Sequence, residues 1–136
     1  MKVLLDKGAY MPERAHSTDA GLDIKTPISF ILPKGGSRVI DTGVHIELPA
    51  GTVGMLKSKS GLNVKHGILN EGVVDVGYTG SIRVKLYNNG GSDVIFNEGD
   101  KISQLVIIPI LTPELEKVDS LEETERGANG FGSTGK

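Results

Sequence analysis

The chain has 136 residues, enough for one domain that buries roughly two-thirds of its unfolded surface. Fifteen basic and 17 acidic residues leave a formal net charge of −2, which excludes a surface built for nucleic-acid binding by counterion release; any phosphate ligand must be met by local placement. There is no cysteine, hence no disulfide or thiolate metal site, and no apolar stretch of membrane-spanning length, so the expected setting is soluble and cytoplasmic, with no membrane partner. Nineteen glycines beside 4% aromatic residues point to many tight turns around an aliphatic core, the composition of an all-β protein.

In chain order, strands are expected near Val3 to Leu5, Ile28 to Leu32, Arg38 to Thr42, Val44 to Leu48, Thr52 to Ser58, Ile82 to Tyr87 and Val94 to Phe96. Strict alternation is clearest where Val44, Ile46 and Leu48 oppose His45 and Glu47, and where Ile82, Val84 and Leu86 oppose Arg83, Lys85 and Tyr87. Glycine-rich turns at Pro33–Gly36, Pro49–Gly51, Asn88–Gly91 and Asn97–Asp100 separate them, the spacing of a sandwich or barrel. The only helical segment expected is Ser60 to Lys65, too short to be amphipathic. Leu105 to Ile108 is apolar on both faces, which predicts cover from another subunit. After Pro113 the chain turns acidic, and from Glu122 periodicity ends; the division expected is a β-domain over 1–121 and a mobile arm over 122–136.

Five segments concentrate polar and glycine residues: Ala20–Ile24 (AGLDI), Lys59–Leu62 (KSGL), Gly72–Gly80 (GVVDVGYTG), Gly99–Leu105 (GDKISQL) and Arg126–Gly135 (RGANGFGSTG). The last runs into GFGSTGK, which begins like a Walker loop but has neither the Ser or Thr after its lysine nor the helix whose N-terminus would face the phosphates. Lys59, Ser60 and Gly61 offer a cation, a hydroxyl and a backbone donor within three residues, the elements of an anion site. Gly72–Gly80 is expected to form a hairpin-like turn, with Val73 and Val74 favouring its burial around Asp75. His16, His45 and His66 are too scattered for a zinc site and receive no chemical role.

In this order and register the five segments closely resemble the motifs of the trimeric deoxyuridine triphosphatase family. The resemblance implies a jelly-roll-like barrel assembled as a homotrimer with shared active sites, hydrolysing dUTP to dUMP and pyrophosphate. That reaction limits uracil incorporation into DNA and supplies dUMP for thymidylate synthesis. Asp75 is the implied general base. Gly72, Val74 and Asn70 would read the uracil, and Tyr78 would lie under the deoxyribose. Lys59, standing where the family usually has arginine, would bind phosphate with Ser60, Gly61 and Gln104. Arg126, Gly132, Ser133 and Thr134 would close on the γ-phosphate, and Phe131 would cover the uracil. Mg2+ is the implied cofactor, held mainly by the triphosphate and its waters, with Asp23 touching those waters. A viral source would move the setting to host cytoplasm or nucleus. Two other readings are a regulatory nucleotide-binding protein on the same scaffold and a dCTP deaminase; the latter requires an acidic residue where this chain has Lys85, and lacks a glycine-rich closing arm.

Overall fold

The structure, a computed structural model, describes residues 1–130; the expected contacts of Phe131, Gly132, Ser133 and Thr134 lie outside the described residues. Eleven strands and one short helix are found there: β1 (Lys2–Leu5), β2 (Gly21–Lys25), β3 (Phe30–Leu32), β4 (Ser37–Asp41), β5 (Val44–Glu47), β6 (Thr52–Lys57), α1 (Ser60–His66), β7 (Ile68–Leu69), β8 (Glu71–Val74), β9 (Arg83–Asn88), β10 (Val94–Phe96) and β11 (Lys101–Pro109). Every strand pairing is antiparallel. The strands form four small sheets, in the orders β1-β5, β3-β10, β2-β11-β6-β8 and β4-β9-β7, folded around one aliphatic core as an all-β jelly roll.

The alternating segments fold as their pattern dictates. Val44, Ile46 and Leu48 are buried, as are Ile82, Val84 and Leu86, while Glu47, Arg83, Lys85 and Tyr87 face outward. Phe30 stacks on Phe96 across the β3-β10 pair, with ring centroids 4.9 Å apart. α1 buries none of its residues completely and ends where Gly67 adopts φ 65°, its N–H closing on the Asn63 and Leu62 carbonyls. A Cβ at Gly67 would lie 2.8 Å from the Gly90 nitrogen, so glycine is required twice over, by conformation and by space.

Three expectations change. β2 was not foreseen as a strand, because Leu22, Asp23 and Ile24 are buried in succession and no alternation is visible. Gly72–Gly80 is not a single hairpin turn: Glu71–Val74 pairs with β6, and turn geometry begins at Asp75. That turn is also not buried within the chain, since β8 points Val74 inward (5% exposed) and Val73 outward (60%), leaving residues 75 to 79 on the surface. The last strand ends at Pro109, and Leu111, Leu115 and Leu121 lie exposed along the irregular segment that follows. Within the apolar run of β11, Leu105 is fully in the core while Ile108 remains 40% exposed.

Candidate active site

A cross-strand row organises one side of the site. Asp23 on β2 pairs with Gln104 on β11, Gln104 pairs with Lys57 on β6, and Lys57 pairs with Glu71 on β8. The register of β11 against β2 shifts between Lys101 and Ser103, which buries both Ile102 and Ser103 and brings Lys101 back towards Asp23. Asp23, only 6% exposed, accepts hydrogen bonds from two ammonium groups: Lys59 on one oxygen and Lys101, at 2.6 Å, on the other. Burial by itself would raise the Asp23 carboxyl, but the bonds from Lys101 and Lys59 outweigh it and hold the group below the usual carboxylate range. The same contact pushes the Lys101 ammonium up.

Gln104 donates through Nε2 to the Ser58 carbonyl at 3.1 Å, which leaves the second amide proton for a ligand. Its side chain lies across Gly21, where any Cβ would collide with Oε1 and stand 3.1 Å from the Gln104 Cβ. Ser60 and Gly61 open α1 directly after Lys59, and no side chain caps that end. Lys59, Ser60, Gly61, Gln104 and Asp23 are thus gathered at one end of the β2-β11-β6 sheet. Lys101 was missed by the sequence reading because its approach to Asp23 depends on the bulge, which no local residue pattern announces.

Asn70 immediately precedes β8. It is 5% exposed, its side-chain amide donates to Ser103 Oγ at 2.8 Å, and its backbone exchanges hydrogen bonds with Ser58 Oγ. Its side-chain amide thus reaches β11 and its backbone the end of β6, at the head of the strand that leads to Asp75.

The second side of the site surrounds the β8 turn. A cavity of about 220 Å³ is lined by Gly72, Val73, Val74, Asp75, Tyr78 and Arg83, with Leu56 and Ile82 at its base. β8 is the edge strand of its sheet, so the backbone groups that do not bond β6 are open to a ligand. The Tyr78 N–H closes the turn on the Asp75 carbonyl at 3.2 Å, and the Tyr78 hydroxyl donates to the Ser81 carbonyl at 2.9 Å. The ring packs against Gly80, where a Cβ would be 2.5 Å from the hydroxyl oxygen. Asp75 also borders a second cavity of about 340 Å³ formed with Gly51, Thr52, Val76, Ile110 and Thr112.

These two sides are far apart within one chain. Asp75 lies four residues beyond Glu71, about 13 Å along the strand, and three strand spacings, about 14 Å, separate β8 from β2. Arg126 is exposed in the arm, donating to the Asn129 carbonyl at 3.1 Å.

No group of three or more His, Cys, Asp or Glu side chains able to hold a metal ion occurs among the described residues. Both Asp23 oxygens are taken by ammonium groups, so an ion arriving with an anionic ligand would meet this carboxylate only through water. No helix is long and apolar enough to cross a membrane among the described residues.

A jelly roll with a lysine-bearing corner and a separate small pocket on an open sheet edge defines a candidate nucleotide-binding protein. Comparison with known proteins makes the assignment specific: residues 7–135 match the dUTPase family model, and the chain belongs to that family. It is 45% identical over 134 residues to the deoxyuridine 5'-triphosphate nucleotidohydrolase of Gloeothece citriformis, covering 96% of this chain and 92% of that protein. It is 44% identical to the protein of the same name from Clostridium novyi, with 99% of both chains covered. Among solved structures, the dUTPase of Staphylococcus bacteriophage 80alpha with dUpNHpp superposes with a TM-score of 0.93 at 34% identity, over 99% of this chain and 98% of that one. A dUTPase from phage phi11 of S. aureus, described with a structural Mg(II) ion, superposes at 0.82 with 36% identity, over 90% and 98%.

Proposed function

We propose that this chain hydrolyses dUTP to dUMP and pyrophosphate in a homotrimer whose active sites are each shared between chains. The observation that carries the reading is the open edge of β8 along the 220 Å³ pocket, with Asp75 at its end and Tyr78 across from it. Uracil presents a donor at N3 and an acceptor at O4, and an edge strand offers complementary carbonyl and N–H groups at Gly72 to Val74. Cytosine reverses that pattern, and each mispaired buried group costs about 1–3 kcal/mol. Tyr78 packs under the deoxyribose, where a 2′-hydroxyl would meet its ring; an apolar surface without such a contact would reject the extra hydroxyl only about a hundredfold.

Asp75 accepts a proton from the water that attacks the α-phosphorus, the bond to the bridging oxygen breaks, and pyrophosphate leaves. Lys59, the Ser60 hydroxyl, the Gly61 N–H and the free Gln104 amide proton hold the leaving phosphates. Arg126 from the arm adds charge to the γ-phosphate, with Ser133, Thr134 and Gly132, and Phe131 covers the base. Asp23 would meet a Mg2+ carried by the triphosphate through water, and the ion would supply charge neutralisation and polarisation of the phosphoryl oxygens. The separation of Asp75 from the lysine corner within one chain supports the trimer: a triphosphate cannot span it, so the phosphate-binding corner beside a given Asp75 belongs to a neighbouring chain. The exposed Leu111, Leu115 and Leu121 favour the same arrangement, in which the segment after Pro109 packs on a neighbour and residues 122–136 form the closing arm.

Asp75→Asn tests the assignment of the base. Turnover of dUTP should fall by about 10²–10⁴ with binding of the unhydrolysed nucleotide retained, and near-normal turnover would remove Asp75 from the role.

A further inference from the structure

His45, given no chemistry by the sequence, lies between the N-terminal strand pair and the substrate turn. Its Nδ1 is 2.8 Å from the Thr79 carbonyl oxygen and its Nε2 is 3.2 Å from Asp6 Oδ2. The side chain is 20% exposed and lines a cavity of about 370 Å³ with Lys2, Val3, Leu4, Ile46, Glu47 and Thr79. Both of its partners are acceptors, and a neutral imidazole has one N–H; only the imidazolium satisfies both contacts. Thr79 directly follows Tyr78 in the turn that begins at Asp75. Tyr78 N–H to Asp75 and Tyr78 hydroxyl to Ser81 stay within the turn and the Ser81 hydroxyl donates to Asp41 at its exit, whereas His45 anchors the turn at Thr79 to β5 and, through Asp6, to the end of β1.

We propose that His45 is a positioning residue for the substrate turn, holding the Thr79 carbonyl and through it the placement of Tyr78 and Asp75. The inference rests on the dUTPase reading for its substrate and on geometry for the tie itself. The charged groups around the ring favour the cation: Asp6 follows β1, Asp41 ends β4, and Lys2 and Glu47, which line the same cavity, pair with each other at 2.9 Å. The bond to Thr79, then that to Asp6, raises the imidazole above its ordinary value, with burial opposing and the charges of Asp6 and Asp41 adding. The doubly bonded form is therefore complete below that raised value and is lost as pH rises through it. His45 touches no substrate atom in this scheme; it sets where the turn sits.

Two measurements on the full chain test the proposal. In ¹H–¹⁵N spectra, the amide of Gly80, which shares its peptide group with the Thr79 carbonyl, should titrate with His45, with a midpoint above the ordinary imidazole value. The midpoint should move down in Asp6→Asn and the titration should vanish in His45→Gln. In dUTP hydrolysis, His45→Gln should raise KM by about three- to tenfold at pH 6, the range for one partly exposed hydrogen bond, with kcat changed less. The difference from wild type should narrow towards pH 9, where the neutral ring keeps one of its two N–H donors; because the substrate's own titration is common to both proteins, that narrowing isolates the imidazole. A Gly80 amide indifferent to the His45 titration, or a His45→Gln profile parallel to wild type across the whole range, would overturn the proposal. Absence of dUTP turnover in the wild-type protein, with the Gly80 titration intact, would instead refute the hydrolase reading and with it the substrate role of the tie.

Discussion

Replacing Asp23 by asparagine should destabilise the chain by about 2 kcal/mol at pH 7. The carboxylate is nearly buried and takes one ammonium on each oxygen, from Lys59 and Lys101. Asparagine keeps one acceptor but turns an NH₂ group towards the other lysine, so one contact is lost and a buried donor is left unmatched, a loss of about 1–3 kcal/mol. The upper range for breaking a buried ion pair, about 3–5 kcal/mol, does not apply, because both lysines are partly exposed and can turn to water, where screening reduces what their pairing is worth. For a chain of this length about 2 kcal/mol corresponds to a fall of about 6–10 °C in Tm. Since the folded-state Asp23 carboxyl lies below its unfolded value, its contribution is complete above the ordinary carboxylate range and is lost as pH falls through the lowered value. The assay is urea unfolding of wild type and variant at equal chain concentration from pH 3 to 8. The gap should be constant above about pH 5 and shrink on acidification. An Asp23→Asn protein as stable as wild type at pH 7, or a gap that widens as pH falls, would refute the argument.

Three further outcomes are expected. Gly21→Ala should displace the Gln104 side chain from the Ser58 carbonyl and raise KM for dUTP by about three- to tenfold without altering the far-UV spectrum, as steady-state kinetics and circular dichroism will show. Gly67→Ala places a side chain at φ 65° and against the Gly90 backbone, and should lower unfolding stability by about 2–4 kcal/mol in a denaturant titration. Co-refolding Asp75→Asn with Lys59→Met chains, each inactive alone, should restore activity, because some sites in mixed trimers combine an intact Asp75 with an intact Lys59 from another chain; no restoration would place the whole site in one chain.

The sequence made the alternating strands legible because one face of each is wet: β5 and β9 declare themselves through Val44, Ile46 and Val84, Leu86. β2 did not, because Asp23 occupies a buried position that only its two lysine partners make tolerable, and those partners are 36 and 78 positions away, as 59 − 23 and 101 − 23. The turn that begins at Asp75 was singled out by its residues, but Val73 and Val74 in sequence say nothing about which of them faces the core. The bond of the Asn70 amide to Ser103 and those of its backbone to Ser58 join segments far apart in sequence, which no local pattern announces. His45 alternates with apolar neighbours as any outward-facing strand residue does, and its link to Asp6 and Thr79 exists only once β1 is paired with β5.

The central claim is a hydrolysis selective for dUTP, and it is tested most directly by measuring pyrophosphate release from dUTP, UTP, dCTP and dTTP in parallel, with Mg2+ and with a chelator. Release from dUTP alone, dependent on the metal, is the predicted result. Comparable release from UTP or dCTP, or none from dUTP, would contradict the assignment of the β8 edge and Tyr78 to base and sugar recognition.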